Sequence, residues 1–599
     1  MYKTGDVCKF NKLGELICLG RIDNQVKIRG LRIELDEIEK RILEYPFINK
    51  AKVVKQMIGN REIISAYYIA KRRIRISELR NHLKRYLPNY MIPSYFTALN
   101  DFPYTPNGKI DKKALPIPDK LLKSEETKYE KPKSDLEKKL VEIWEDILNT
   151  KPIGIKDNFF ELGGDSILAM NLNIKLLKIT DKINYSDIFS YPTISELAQK
   201  IENDIINKKE DFSNLNIKYK KILDNNMNIP ITIKYQSMGN VLLTGATGFL
   251  GMHIMDNFLK NEKGKIYVLV REEPGMSLRD KLLNKMHYYF GNKYDQYLED
   301  RIIIVKGDLT EDGFGLKQEE LFKLGNSINT ILNSAAKVSH YGNYQEFYNI
   351  NVKSVEKITN FAKTFNKKVF HISTISVSGN AFASRESFEN NKIEDKKEFC
   401  ENNFYINQNL DNVYVRSKFE AEKIMLDAIY NGLDGYILRM GNLMPRIADG
   451  KFQDNINENA YINRLKVFKY LGCIPDYLSD EYLEFTPVDK AAESIIKIIQ
   501  FTNNNNRIYH IYNNKYILLK EILKIMYEEN INIQILENNE FKKKIENILN
   551  SNNSDMLGPI INELDKNLNL NYYSKIIVNS NHTIELLEKY GFKWPKIDK

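Results

Sequence analysis

Val241-Leu242-Leu243-Thr244-Gly245-Ala246-Thr247-Gly248-Phe249-Leu250-Gly251 decides the fold of the larger part of this chain. Three apolar residues in a row read as a buried strand, and the stretch running on to Phe258 reads as the helix after it. In that context the spacing of the glycines is a dinucleotide fingerprint. Gly245 turns the chain, Gly248 lets the backbone approach a pyrophosphate, and Gly251 brings helix against strand. Thr247, Phe249 and Leu250 share this loop and count as cofactor contacts with the glycines.

Downstream, the strand Lys265 to Val270 ends in Arg271, where an enzyme using NAD usually places an acid for the ribose hydroxyls. A guanidinium there grips a 2′-phosphate in a fork, so NADPH is the predicted cofactor, although Glu272 and Glu273 follow directly. Two more strands are predicted at Ile302 to Lys306, ending in Gly307-Asp308-Leu309, and at Thr330 to Leu332, ending in Asn333-Ser334-Ala335-Ala336. Alternating strands and helices of this kind predict an α/β Rossmann domain. A fifth strand, Val369 to Ile372, leads into Ser373-Thr374, and Tyr414-Val415-Arg416-Ser417-Lys418 comes later. Four residues apart on a helix, Tyr414 and Lys418 share a face, so one bound group meets both. A phenol with a pKa near 10 is a poor acid at neutral pH, and the expectation is that the Lys418 ammonium lowers it. Thr374 is placed to hold a substrate oxygen. From about Gly441 the chain is expected to leave the sheet and build a substrate-binding subdomain, with Asn442 a candidate substrate contact.

Upstream lies a helical segment. Leu136, Leu140, Ile143 and Ile147 fall on one helix face, and Ser134-x-x-Glu137 has the form of a capping box. A four-helix bundle is expected. Within it, Leu162-Gly163-Gly164-Asp165-Ser166-Ile167 puts a serine where a tight turn meets a helix start. The amide groups and dipole there favour a phosphodiester, while the plainer reading is a serine that only caps the helix. The first segment reads as short strands around Asn11 to Gly14 and a helix with Ile38 and Ile42 on one face, Leu35 and Leu43 beside them.

Two stretches rich in Lys, Glu, Pro and Asn lose hydrophobic periodicity and read as linkers. The expected organisation is a first segment at 1–118, a linker at 119–133, the helical segment at 134–206, a second linker at 207–237 and the Rossmann domain at 238–599. At 599 residues several cores are needed. A hydrophobic fraction of 43% and a charged fraction of 28% are those of ordinary globular protein. The 88 basic and 79 acidic residues are interleaved, which argues against a nucleic-acid partner. The N-terminus lacks an apolar signal core and no long apolar run appears, so neither secretion nor a membrane partner is expected. Cys8, Cys18, Cys400 and Cys473 have no metal-site spacing and read as free thiols, so no metal and a cytoplasmic location are expected.

The order of these motifs resembles the end of a nonribosomal peptide synthetase. Tyr2-Lys3-Thr4-Gly5-Asp6, Gly20-Arg21-Ile22-Asp23-Asn24-Gln25-Val26-Lys27-Ile28-Arg29-Gly30 and Pro106-Asn107-Gly108-Lys109-Ile110-Asp111 are similar to motifs of adenylation domains. That likeness implies a small α+β carboxy-terminal subdomain in which Asp6 holds the ATP ribose, Asp23 is the hinge and Lys109 attends adenylate formation. The family's large amino-terminal subdomain has no counterpart here. No independent adenylation activity is therefore expected, and an upstream synthetase polypeptide is an expected partner. The Ser166 string and Phe189-Ser190-Tyr191-Pro192-Thr193-Ile194-Ser195-Glu196-Leu197-Ala198 resemble peptidyl carrier proteins. This implies 4′-phosphopantetheine on Ser166 and a phosphopantetheinyl transferase as partner.

The third segment resembles extended short-chain dehydrogenase/reductases, with Leu438-Arg439-Met440-Gly441-Asn442 and Phe485-Thr486-Pro487-Val488-Asp489 as later landmarks. The likeness puts Asp308 near the adenine, counts Leu309 among the cofactor contacts and lines the cofactor with Ala335 and Ala336. Together the segments imply a thioester reductase that takes an acyl or peptidyl thioester from Ser166. Thr374, Tyr414 and Lys418 are the implied catalytic residues, Lys418 also holding the ribose, and the product is an aldehyde or, after a second hydride, an alcohol. Two other readings fit parts of the sequence: a carrier and docking module whose reductase fold is inactive, and a sugar-nucleotide-type extended short-chain dehydrogenase/reductase acting on a free small molecule. The fused carrier argues against the second, because a tethered substrate explains the fusion.

Overall fold

The computed structural model describes residues 6–597 apart from 11–15, 22–24, 88–90, 117–128, 207–211, 225–234, 339–343, 380–396, 502–505, 550–553, 571–575 and scattered single or paired positions. It divides into two compact units, residues 1–206 and 207–599.

In the first unit, β1 (Asp6–Phe10) and β2 (Leu16–Arg21) pair antiparallel, as do β3 (Gln25–Ile28) and β4 (Leu31–Glu34). Helix α1 (Leu35–Leu43) follows, then β5 (Ile48–Ile58), β6 (Arg61–Ala70), α2 (Ile76–Lys84) and β7 (Tyr95–Ala98). The last three strands form one sheet. Leu35, Ile38 and Ile42 of α1 pack into its core with Val53, Ala66 and Leu79, as the periodicity predicts. Leu43 departs from the expected face and is exposed, one residue past the inward turn of the helix.

Four helices complete this unit: α3 (Asp135–Leu148), α4 (Ser166–Leu177), α5 (Tyr185–Ser190) and α6 (Ile194–Ile206). The capping box at the start of α3 is present. The Glu137 amide donates to Ser134 Oγ at 3.1 Å and the Ser134 amide donates to the Glu137 carboxylate at 3.1 Å. Trp144, on the same helix face as Leu140 and Ile147, is fully buried edge-on against Phe159, ring centroids 5.0 Å apart. That ring also explains Gly164, since a Cβ there would lie 2.4 Å from Phe159. Gly163, at φ +91°, makes the turn before α4.

The second unit opens with α7 (Ser213–Asp224), which lies inside the stretch expected to be a linker. Its apolar residues are few, but Tyr219 and Leu223, one turn apart, are buried in the core of this unit. The surrounding Lys and Asn hide that face from a periodicity reading. Then come β8 (Val241–Thr244), α8 (Phe249–Asn261), β9 (Ile266–Val270), α9 (Leu278–Phe290), β10 (Ile302–Lys306), α10 (Gln318–Ser327), β11 (Thr330–Asn333), α11 (Ser354–Thr364) and β12 (Lys368–Thr374). They are followed by α12 (Val413–Tyr430), β13 (Gly435–Met440), α13 (Val488–Phe501) and β14 (Ile508–Ile511).

The seven strands form one parallel sheet in the order β10-β9-β8-β11-β12-β13-β14. Alternate residues face opposite sides: Val241 and Leu243 pack with Ile254, Phe258 and Ile495, whereas Leu242 packs with Ile358, Phe419 and Met425. Burial on both faces is why β8 and β9 read as nearly unbroken apolar runs. The order reverses between β8 and β11, which opens a crevice at their carboxyl ends.

The expectation that the chain leaves the sheet from Gly441 holds only to Pro487. Leu443–Met444 and Thr486–Pro487 pair outside the sheet, but the chain then re-enters as α13 and β14. Ile508-Tyr509-His510-Ile511 is a mixed run too short for pattern to mark it as a strand. Among the described residues no helix is long and apolar enough to cross a membrane, and no cluster of metal-ligating side chains occurs.

Candidate functional site

At the carboxyl end of β8 the chain turns at Gly245, φ +67°. The turn lies so close to the end of β11 that a Cβ on Gly245 would stand 2.7 Å from the Ala335 amide nitrogen. Gly251 is equally constrained, because its Cβ would meet the Gly245 carbonyl oxygen at 2.2 Å. Thr244 Oγ1 donates to Asn333 Oδ1 at 2.6 Å and Ser334 Oγ donates to the Thr244 carbonyl at 2.7 Å, which ties the two strand ends together. Gly248 caps α8 with no side chain, and is exposed, while Thr247 and Phe249 are half-buried and Leu250 is buried. The crevice therefore presents bare backbone and a helix amino terminus, and these fit a dinucleotide diphosphate. Ala335 and Ala336 stand half-buried on its other wall.

Arg271 follows β9 directly and is exposed. The two acids beside it are engaged elsewhere, Glu272 with Lys306 at 2.6 Å and Glu273 with Lys281 at 3.0 Å. Lys281 also donates to the Arg271 carbonyl at 3.2 Å. Asp308, after β10, accepts from the amide and hydroxyl of Thr310 at 2.8 and 2.7 Å, and Leu309 packs against the core.

Thr374 is the last residue of β12 and Tyr414 stands in the first turn of α12. Their side chains hydrogen-bond to each other. Tyr414 as a whole is half-buried, but its hydroxyl sits deep among protein atoms. The residue is held there by Asn412, whose Oδ1 accepts from the amides of Tyr414 and Val415 at 2.9 and 3.1 Å. Lys418, buried one turn on, donates from Nζ to the Ile372 carbonyl at 2.6 Å.

The expected tuning of the phenol by the ammonium does not occur within the protein alone. Burial pushes Tyr414 up to about 12, with the Thr374 hydrogen bond as the opposing influence. Burial likewise draws Lys418 down to about 8, against the nearby Glu422 carboxylate, which favours the ammonium. Desolvation acts on both groups and outweighs the attraction between them that the i to i+4 spacing suggests.

Three supporting residues were not foreseen. Glu422, fully buried, accepts from Arg439 Nη2 at 2.7 Å and from Ser373 Oγ at 2.6 Å, which fixes α12 against β12 and β13. Asn351, in a π turn at Tyr348–Lys353, accepts from the Lys337 amide at 2.8 Å and donates to Ser417 Oγ at 2.9 Å. It joins the loop after β11 to α12. Asn412 alone carried a signal, as an Asn immediately before a helix. Asn442, the candidate substrate contact, is exposed, and its amide donates to the buried Glu484 carboxylate at 2.6 Å. Burial raises Glu484 to about 7.

In the first unit Ser166 is the first residue of α4, and Lys109 is exposed. Asp6 begins β1, and Asp23 lies outside the described residues.

Residues 243–495 match the NAD-binding family described as Male sterility protein, and residues 138–201 match the phosphopantetheine attachment site family. One component of the linear gramicidin synthase of Brevibacillus parabrevis is 29% identical over 100% of this chain and 12% of its own length. L-2-aminoadipate reductase of Saccharomyces cerevisiae is 27% identical over 95% of this chain and 45% of its own. The chain thus spans less than half the length of these curated relatives. A thiolation-reductase di-domain from an archaeal non-ribosomal peptide synthetase superposes with a TM-score of 0.64 at 34% identity, covering 78% of this chain and 96% of the other.

Proposed function

The chain belongs to the thiolation–reductase family of nonribosomal peptide synthetases, and on that premise we propose that it releases a carrier-bound acyl or peptidyl thioester by reduction. The substrate is held on a 4′-phosphopantetheine arm at Ser166, installed by a phosphopantetheinyl transferase. Ser166 at the start of α4 suits this role, since a phosphodiester there meets free amides and the positive end of the helix dipole.

The observation that carries the reading is the pair of Thr374 and Tyr414 hydroxyls, withdrawn from water beside Lys418, at the end of β12 next to the glycine crevice. When bound along that crevice, the reduced nicotinamide supplies a hydride to the thioester carbonyl carbon. Thr374 and Tyr414 hydrogen-bond the carbonyl oxygen as it gains charge. Tyr414, held protonated by burial, gives that oxygen its proton. Lys418 supplies the compensating positive charge and a donor for a ribose hydroxyl. Cleavage of the C–S bond then returns the proton to the departing sulfur and frees an aldehyde. The balance is thioester plus reduced cofactor plus one proton, giving aldehyde, thiol and oxidised cofactor. A second hydride and proton give an alcohol.

NADPH is favoured over NADH because Arg271 stands at the end of β9 while both neighbouring acids are paired with lysines. Residues 1–118 are read as the carboxy-terminal subdomain of an adenylation domain, with Asp6, Asp23 and Lys109 in its ATP-facing roles once a partner subdomain is supplied. A diffusible sugar nucleotide is disfavoured by the fused carrier.

The test loads Ser166 with candidate acyl-pantetheines, adds NADPH and identifies the released product by mass spectrometry. Release of the aldehyde or alcohol by the intact chain and none by Tyr414→Phe is expected. Unchanged release by Tyr414→Phe overturns the assignment.

A further inference from the structure

Helix α7 is attached to the helix that carries Tyr414 and Lys418. Tyr219 is fully buried, donates from its hydroxyl to Asp427 on α12 at 2.8 Å, and packs edge-on against Phe404 at 5.7 Å. Lys218 pairs with the same Asp427. Asn216 Nδ2 donates to the Tyr405 carbonyl at 2.5 Å, and the Tyr405 amide donates back to Asn216 Oδ1 at 3.1 Å. This two-way pairing imitates a strand neighbour and fixes α7 against the loop that leads into α12. Phe212 lies 5.2 Å from the ring of Phe419, the residue after Lys418, and 5.5 Å from Tyr405.

These contacts change what tethers the carrier. Helix α6 ends at Ile206 and Phe212 is docked, so five residues of sequence lie between these two described points. Were α7 free, the tether would run to Tyr235, which reaches Glu262 at 3.2 Å and Phe501 at 6.0 Å between ring centroids. At no more than about 3.4 Å per residue, the longest span that the intervening sequence allows falls from about 100 Å to about 20 Å.

We infer that α7 is the anchor of the carrier tether, so that its docking on α12, and not the full length of chain between the two domains, sets how Ser166 is delivered to the reductase. This inference rests on the proposed thioester reduction. The local concentration of a tethered group falls roughly as the −3/2 power of tether length. Tyr219, Asn216 and Phe212 are then positioning residues, since none touches the reacting atoms.

The test uses the full chain with two insertions of equal length, about ten Gly and Ser residues, one between Ile206 and Phe212 and one between Asp224 and Tyr235. Octanoyl-phosphopantetheine loaded on Ser166 gives the single-turnover rate of NADPH oxidation, and free octanoyl-pantetheine in solution gives the rate of the same site without a tether. A docked α7 predicts that the first insertion, which lengthens the stretch between Ile206 and Phe212 about threefold, slows the loaded reaction about fivefold, and that the second leaves it unchanged. If the two insertions act alike, each by about 1.5-fold, α7 does not anchor the tether. Turnover of free octanoyl-pantetheine by both variants keeps this outcome separate from failure of the reductase reading, under which neither substrate is reduced.

Discussion

The two halves of the cleft are built by different means. The half proposed for the cofactor phosphates, from Gly245 to Gly251 and across to Ala335, is a matter of backbone shape, and its charged neighbours Arg271, Glu272 and Glu273 are exposed. The half proposed for hydride transfer, Thr374, Tyr414 and Lys418, consists of polar and ionisable groups removed from water. The first half works by leaving space, the second by withholding solvent. Substitutions should therefore act as steric defects on one side and as electrostatic ones on the other.

The largest expected effect is on the hydride side. Tyr414→Phe removes the proposed proton donor and should lower the single-turnover rate by about 10²- to 10⁴-fold with cofactor affinity nearly unchanged. A parallel loss of affinity, read by fluorescence titration, would place Tyr414 in cofactor binding and blur the comparison.

Lys418→Met should inactivate the enzyme yet stabilise it. The fall from 10.5 to about 8 is a preference for the neutral amine worth about 3.5 kcal/mol at about 1.4 kcal/mol per unit. In the native protein this Lys binds fewer protons than the unfolded chain between pH 8 and 10.5, so wild-type stability rises with pH across that window. The advantage of Lys418→Met should accordingly be full at pH 7 and fade toward pH 10.5, as denaturant melts at several pH values will show. The wild-type rate should also fall above about pH 8, where the ammonium is lost.

On the phosphate side, Gly245→Ala puts a Cβ against the Ala335 nitrogen at positive φ and should cost roughly 2–3 kcal/mol of stability. A melting curve indistinguishable from wild type would remove the steric account of this half. The smallest effect belongs to exposed Arg271. Arg271→Ala should weaken NADPH binding about tenfold and leave NADH binding within a factor of two, the value of one charge-assisted contact. Equal losses for both cofactors would assign Arg271 no part in their discrimination.

The same contrast explains what a reader of the sequence sees. The glycine motif is legible because a turn at positive φ between a strand and a helix admits few residues, and the motif is local. The strands β8 and β9 are legible because burial on both faces keeps them almost wholly apolar. Helix α7 is not legible, since two buried residues, Tyr219 and Leu223, hold it while lysines and asparagines dominate its composition. Nor is β14, whose place at the sheet edge depends on pairing with β13 across a long excursion. Glu422, Arg439 and Asn351 support α12 through partners distant in sequence, and no spacing rule connects them.

By itself the sequence determined the Rossmann core, the position of Ser166 at a helix start and the shared helix face of Tyr414 and Lys418, because each follows from residues within a few positions of one another. The tertiary structure alone decided the ionisation of that face. A pKa depends on how much water is excluded and on which distant groups replace it, and the sheet that buries Tyr414 and Lys418 is assembled from strands spread over much of the chain.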